Sequence, residues 1–134
     1  MQVKFTILGE PKGKGRPRFS RKTGTAITPK DTVNYETLVH MEYLEQCNGF
    51  RFEDDAMLDL RIKAYYSIPK STSKKKKAAM LAGEIRPTKK PDMDNVVKII
   101  ADSLNRVAYR DDTQIVDQQC RKFYSENPRV EVSI

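Results

Sequence analysis

Histidine and cysteine are scarce in this chain. His40 is the single histidine, and Cys47 and Cys120 stand far apart with no CxxC pair. A usual zinc site needs several such ligands at close spacing, so zinc of that kind is excluded. The two thiols read as buried and reduced, with a disulfide as the less favoured reading. His40 falls in a helical stretch and reads as a packed or surface residue without a catalytic role. Long apolar runs are missing too. VVKII is broken by Lys98, and no run approaches the ~20 residues that span a bilayer. The opening MQVKFTILGE alternates polar and apolar residues and has no apolar core of the signal-peptide kind. The expectation is a cytoplasmic protein that does not contact a membrane.

Charge, by contrast, is abundant. Lys and Arg total 25 against 18 acids, giving a net charge of +7 over 134 residues. That length fits one domain, residues 1–134. A small basic domain most often meets a polyanion, nucleic acid first. Lys12, Lys14, Arg16, Arg18, Arg21, Lys22 and Lys30 crowd a segment whose glycines and prolines forbid regular structure. Glycines let a backbone approach phosphates, and the side chains add charge. Lys12, Lys14, Arg16 and Arg18 are therefore candidate DNA contacts, with a solvated basic loop as the alternative. Lys74, Lys75, Lys76 and Lys77 are consecutive and cannot share one helical face. They either bind a distal stretch of DNA or solvate a helix.

Periodicity orders the elements. Val3, Phe5 and Ile7 alternate along a first strand. A helix is predicted over 31–47, with Asp31 as N-cap candidate and Val33, Leu38, Met41 and Leu44 facing the core. Residues 57–68 read as a long strand. Residues 71–84 read as a helix capped by Ser71 or Ser73 and stopped at Gly83. A third helix spans about 94–105, and strands lie near 114–124 and 129–134. The order implies an α/β domain of the α+β type. It is a single compact domain with a mixed, largely antiparallel sheet packed against helices, not a βαβ repeat.

The stretch KKPDMDNVVKIIADSLN, residues 89–105, concentrates acids in a basic protein. Asp92 and Asp94 follow a proline. Lys98 and Asp102 continue from Asp94 at i, i+4 spacing, while Val96, Val97, Ile100 and Leu104 form an apolar stripe turned away from them. Two readings stay open here. Acids at a helix N-terminus and an Asp–Lys–Asp ladder are ordinary stabilising devices. Alternatively, the two close carboxylates hold a divalent cation that removes their repulsion. RDDTQIVD supplies Asp111 and Asp112 just past the helix. A strand running back beside the helix start would let Asp112 meet Asp92 and Asp94. Three hard oxygen ligands, water and a phosphate oxygen suit Mg²⁺ or Mn²⁺. Such ions support phosphodiester hydrolysis, for which the carboxylates must be ionised. Lys98 would then stabilise phosphoryl charge or orient water; in the plain reading it balances the acids. Phe19 and Tyr109 are candidates for stacking on exposed bases, with core packing as the alternative.

These residues carry a resemblance. KPDMDNVVKIIADSLN followed by RDDTQIVD resembles the RusA family of Holliday junction resolvases, often carried by phages and prophages. The matching positions are Asp92, Asp94, Asn95, Lys98, Asp102, Asp111, Asp112 and Gln114, and GEPKGKGRPR is similar to the N-terminal motif of one branch. The resemblance implies a Mg²⁺-dependent homodimeric endodeoxyribonuclease, with Mn²⁺ as a possible substitute. It implies paired symmetric nicks in four-way DNA junctions during recombination and repair. It further implies metal ligation by Asp92, Asp94 and Asp112, with Lys98 catalytic. Asp111 stays open as a substitute for Asp112, and Asp102 as either a supporting residue behind the ligands or a plain surface acid. The competing class is a DNA- or RNA-binding module without catalysis, its acidic helix structural.

Overall fold

Apolar residues at every second position build the inner face of the sheet, and helices cover that face. A computed structural model describes residues 1–15, 24 and 30–134, and the backbone alone at 18–19 and 26–27. The elements are β1 (Lys4–Leu8), β2 (Arg18–Phe19), β3 (Ala26–Ile27), α1 (Lys30–Gln46), β4 (Leu58–Ser67), α2 (Lys74–Leu81), α3 (Met93–Ser103), a 3-10 turn (Asp112–Gln114), β5 (Ile115–Ser125) and β6 (Arg129–Ser133). The main sheet has the order β1-β6-β4-β5, and β2 and β3 form a two-stranded sheet. β6 lies antiparallel to both β1 and β4, whereas β4 and β5 are parallel. A parallel pair needs a long crossover, which α2 and α3 supply. The sheet is thus mixed, in an α+β domain, as the element order implies.

β4 shows the alternation of a sheet covered on one side. Leu58, Leu60, Ile62, Ala64 and Tyr66 are buried, while Asp59, Arg61 and Lys63 are exposed. The core lies between that inner face and the helices α1 and α3. α3 is the more apolar partner. Val96, Ile99, Ile100 and Leu104 are all 0% exposed, and each contributes about 1.5–3 kcal/mol by leaving water.

α1 occupies the predicted span but turns another face inward. Val33, Leu38, Met41 and Leu44 are exposed, and Thr32, Tyr35, Val39 and Tyr43 are buried. The expected aliphatic row opens with a five-residue step, which leaves the stripe. The buried row advances by three and four and keeps to one side. Tyr43 is tolerated inside with its polar tip partnered: its Oη donates to the Phe50 carbonyl at 2.5 Å. Its ring meets Phe5 edge-on at 5.3 Å.

α2 is capped by Ser73, whose side chain accepts from Lys76 N at 3.3 Å. The chain leaves that helix through Gly83 at φ +80, a conformation glycine adopts without steric cost. Cys47 and Cys120 are free thiols. Among the described residues, no helix is long and apolar enough to cross a membrane.

Candidate active site

The segment entering α3 is fastened before the acids begin. Tyr66 Oη donates to the Pro91 carbonyl at 2.5 Å, and Lys122 Nζ donates to the Lys89 carbonyl at 2.7 Å. The Lys90–Pro91 peptide is cis. Asp92 then takes the N-cap position without a side-chain cap bond.

Past α3 the chain reverses around Tyr109. Arg106, at φ 64, donates its N–H to the Tyr109 carbonyl at 2.7 Å. The Tyr109 ring is fully buried and its hydroxyl donates to the Ala101 carbonyl at 2.6 Å. Burial pushes that hydroxyl far above its ordinary range, and Asp112, Asp102 and Asp111 push the same way. Of the two roles considered for Tyr109, the structure gives it core packing.

Gln114 fixes the turn that follows. Its Oε1 accepts from Arg110 N at 2.9 Å and Asp111 N at 3.2 Å. Its Nε2 donates to the carbonyls of Glu53 at 2.9 Å and Ala56 at 3.2 Å. The glutamine in DDTQ therefore shapes the backbone that carries Asp112. Gln114→Ala is expected to cost about 1–3 kcal/mol, since it strands several backbone groups at once. Urea denaturation measures this, and an unshifted midpoint would show that these bonds carry no stability.

Between α3 and the start of β5 lies an open hollow of about 340 Å³. Asp94, Lys98, Asp112 and Gln118 supply its polar lining, and Val97, Ala101 and Ile115 its apolar floor. Gln118 has no sequence signal. A β-bulge opposite Leu58/Asp59 inserts one residue into β5, so Gln118 pairs with Leu60 and shares its inward face. Burial raises the Asp112 carboxyl above the ordinary carboxylate range. Asp111 and Asp102 add to that, and Lys98 opposes it. Burial also pushes the Cys120 thiol up to about 11, with Lys122 opposing and Asp94 adding.

The structure brings Asp94, Lys98 and Asp112 together and leaves Asp92 outside the hollow's lining. Among the described residues, no three His, Cys, Asp or Glu side chains are gathered closely enough to hold a metal ion. The expected trio of Asp92, Asp94 and Asp112 is thus not assembled as one cluster. β5 does run back along α3, and the hollow at its start is lined by Asp94 and Asp112, while Asp92, at the N-cap before the helix, does not line it. Asp111 faces elsewhere, into a separate hollow with Arg106 and Arg110. Its carboxylate accepts from Thr113 N at 3.2 Å, and the Thr113 side chain first, then this backbone N–H, hold it below the ordinary range. Of the two adjacent aspartates, Asp112 is the one that reaches the hollow.

Mg²⁺ is commonly held through one or two carboxylates while keeping several waters. Asp94 and Asp112 offer two hard oxygen donors on one hollow, with the carboxylates of Asp111 and Asp102 nearby. The residues present fit such an ion.

Asp102 stands behind the hollow. Its Oδ2 lies 3.5 Å from Lys98 Nζ and 3.4 Å from Lys14 Nζ. Lys14, a candidate DNA contact in the sequence, thus has its ammonium engaged by acids. Lys12 is exposed, as are Lys74, Lys75 and Lys76. Lys77 pairs with Glu126 at 2.9 Å. Arg16 and the side chains of Arg18 and Phe19 lie outside the described residues.

Comparison with known proteins agrees with the motif. The family model described as Endodeoxyribonuclease RusA matches residues 9–134. "Uncharacterized protein YqaN" of Bacillus subtilis (strain 168) is 41% identical over 136 residues, covering 98% of this chain and 94% of that protein.

Proposed function

The chain belongs to the endodeoxyribonuclease RusA family, and from that membership we propose that it resolves four-way (Holliday) DNA junctions by paired, symmetric nicks that require Mg²⁺. The observation that carries this reading is the shared hollow of Asp94, Lys98 and Asp112 in a chain of net charge +7. Asp94 and Asp112 are the residues that would hold the ion, with Asp92 contributing negative charge from the helix entrance. When bound, Mg²⁺, or Mn²⁺ in its place, lowers the pKa of the attacking water and neutralises the scissile phosphate. Lys98 places its ammonium at the hollow, where it stabilises the charge that develops on the phosphoryl oxygens. Gln118 offers an amide to the same phosphate. The open shape of the hollow suits a polymer backbone better than a small nucleotide, which would be enclosed.

Binding is spread over the cations. Lys12, with Arg16 and Arg18, grips the backbone near the site, and Lys74, Lys75, Lys76 and Lys77 reach a second junction arm. A four-way junction is close to two-fold symmetric, and among the described residues each chain has one hollow that joins Asp94, Lys98 and Asp112. Paired cuts therefore call for a homodimer. Recombination and repair, in a prophage and in the cytoplasm, is the setting such an activity serves.

The test is a labelled immobile four-way junction beside a linear duplex of the same sequence. Paired nicks in the junction, dependent on Mg²⁺, with the duplex intact, are the expected result. Binding without any cutting would reduce the protein to a DNA-binding module with a structural acidic helix. A monomeric mass at micromolar concentration would contradict the paired mechanism.

A further inference from the structure

The basic stretch KGKG, residues 12–15, contains one lysine that faces water and one that does not. Lys12 is exposed, whereas the Lys14 side chain is 21% exposed. The backbone on each side of Lys14 is tied down. At Gly13 a Cβ would come 3.0 Å from the Cβ atoms of both Asn95 and Pro91, so only glycine lets the loop lie this close to the entrance of α3. Lys14 N donates to the Asn95 carbonyl at 3.1 Å, and Gly15 N donates to the Thr32 hydroxyl at 2.9 Å. Thr32 itself is buried in α1. The loop is thus pinned to α3 on one side of Lys14 and to α1 on the other.

Held this way, the Lys14 ammonium meets Glu36 of α1 at 3.1 Å and Asp102 of α3 at 3.4 Å. Asp102 Oδ2 also faces Lys98 Nζ at 3.5 Å, so two ammoniums share one carboxylate oxygen. They differ in freedom. Lys14 is anchored by its backbone and by Glu36, while the Lys98 side chain is 61% exposed. A carboxylate shared between two cations holds each more loosely than a carboxylate facing one.

We propose that Lys14 is a positioning residue: by engaging Asp102 it keeps Asp102 from drawing Lys98 back along α3, and so leaves the Lys98 ammonium at the acidic hollow. The proposal rests on the reading of Lys98 as catalytic. It moves Lys14 from the DNA-contacting residues, where its sequence context puts it, to the support of the site. With Lys14 neutralised, the full charge of Asp102 falls on Lys98.

The experiment compares wild type with Lys14→Met, Asp102→Asn and the double variant, with Lys12→Ala alongside. Lys14→Gln, which keeps hydrogen-bond donors but no charge, serves if Met disturbs folding. Junction cleavage, junction affinity against salt, and the NMR signal of the Lys98 Cε, assigned by its loss in Lys98→Arg, are measured on each. Lys14→Met is expected to lower kcat about tenfold, the scale of losing a supporting partner, with affinity and salt slope unchanged. The Lys98 signal should move in Lys14→Met and stay in place in Lys12→Ala. The double variant should cut no more slowly than Asp102→Asn alone, because Lys14 acts through Asp102. A salt slope lowered by about one would make Lys14 a phosphate contact and overturn the proposal. Multiplying effects in the double variant, or an unmoved Lys98 signal, would overturn it as well. Should wild type cut no junction, the nuclease reading falls, and the Lys98 signal alone still decides whether Lys14 positions that side chain.

Discussion

Asp94→Asn is expected to lower Mg²⁺-dependent junction cleavage by about a thousandfold or more while junction binding persists. Asparagine keeps the shape of the side chain and one oxygen, but loses the charge that holds a divalent cation. That interaction supplies several kcal/mol of transition-state stabilisation, and each ~1.4 kcal/mol is tenfold in rate. Folding is little affected, because Asp94 is exposed in the first turn of α3. Loss of its favourable interaction with the helix dipole costs about 0.3–1 kcal/mol. Asp92→Asn is the informative comparison. Asp92 precedes the helix and does not line the hollow, so its loss should be the smaller of the two. Single-turnover cleavage with a parallel gel-shift measures both. A fall of less than about tenfold in Asp94→Asn would remove that carboxylate from the chemistry.

Tyr109→Ala is expected to be the most damaging substitution for stability, at about 3–5 kcal/mol. The side chain is 0% exposed, and its hydroxyl donates to the Ala101 carbonyl at 2.6 Å. Truncation leaves a cavity where the chain leaving α3 is tied back onto it. Total stability for a domain of this kind is about 5–15 kcal/mol, so the loss is a large share. It should also slow cleavage, because the same tyrosine sets where the turn delivers Asp112. Tyr109→Phe separates the parts. It keeps the packing, removes one buried hydrogen bond, and should cost about 1–2 kcal/mol. Urea unfolding gives both values, and a cost below about 1 kcal/mol for Tyr109→Ala would contradict this role.

Much of this arrangement is legible in the residues. Strict alternation in β4 and the apolar stripe of α3 mark those elements, because burial on one face forces periods of two and 3.6. Ser73 and Gly83 bracket α2 through capping chemistry that is local in the chain. α1 misleads because tyrosine is ambiguous. Tyr35 and Tyr43 are buried while the more apolar Met41 and Leu44 face water, and only the sheet beneath them decides that. The acidic centre is partly legible. Asp94, Lys98 and Asp112 line one hollow, whereas Asp92, at the N-cap before the helix, does not line it. The choice between Asp111 and Asp112 depends on the 3-10 turn, where Thr113 takes Asp111. Gln118 depends on a bulge, and Lys14 on two acids supplied by different helices. Such pairings join distant parts of the chain and leave no local pattern.

The most direct measurement of the central claim is anomalous scattering from crystals soaked in Mn²⁺, for wild type and for Asp94→Asn. The expected result is an ion in the hollow, contacting the carboxylates of Asp94 and Asp112, and lost in the variant. An ion bound elsewhere, or both carboxylates bare at saturating Mn²⁺, would contradict a metal-dependent nuclease site between α3 and β5.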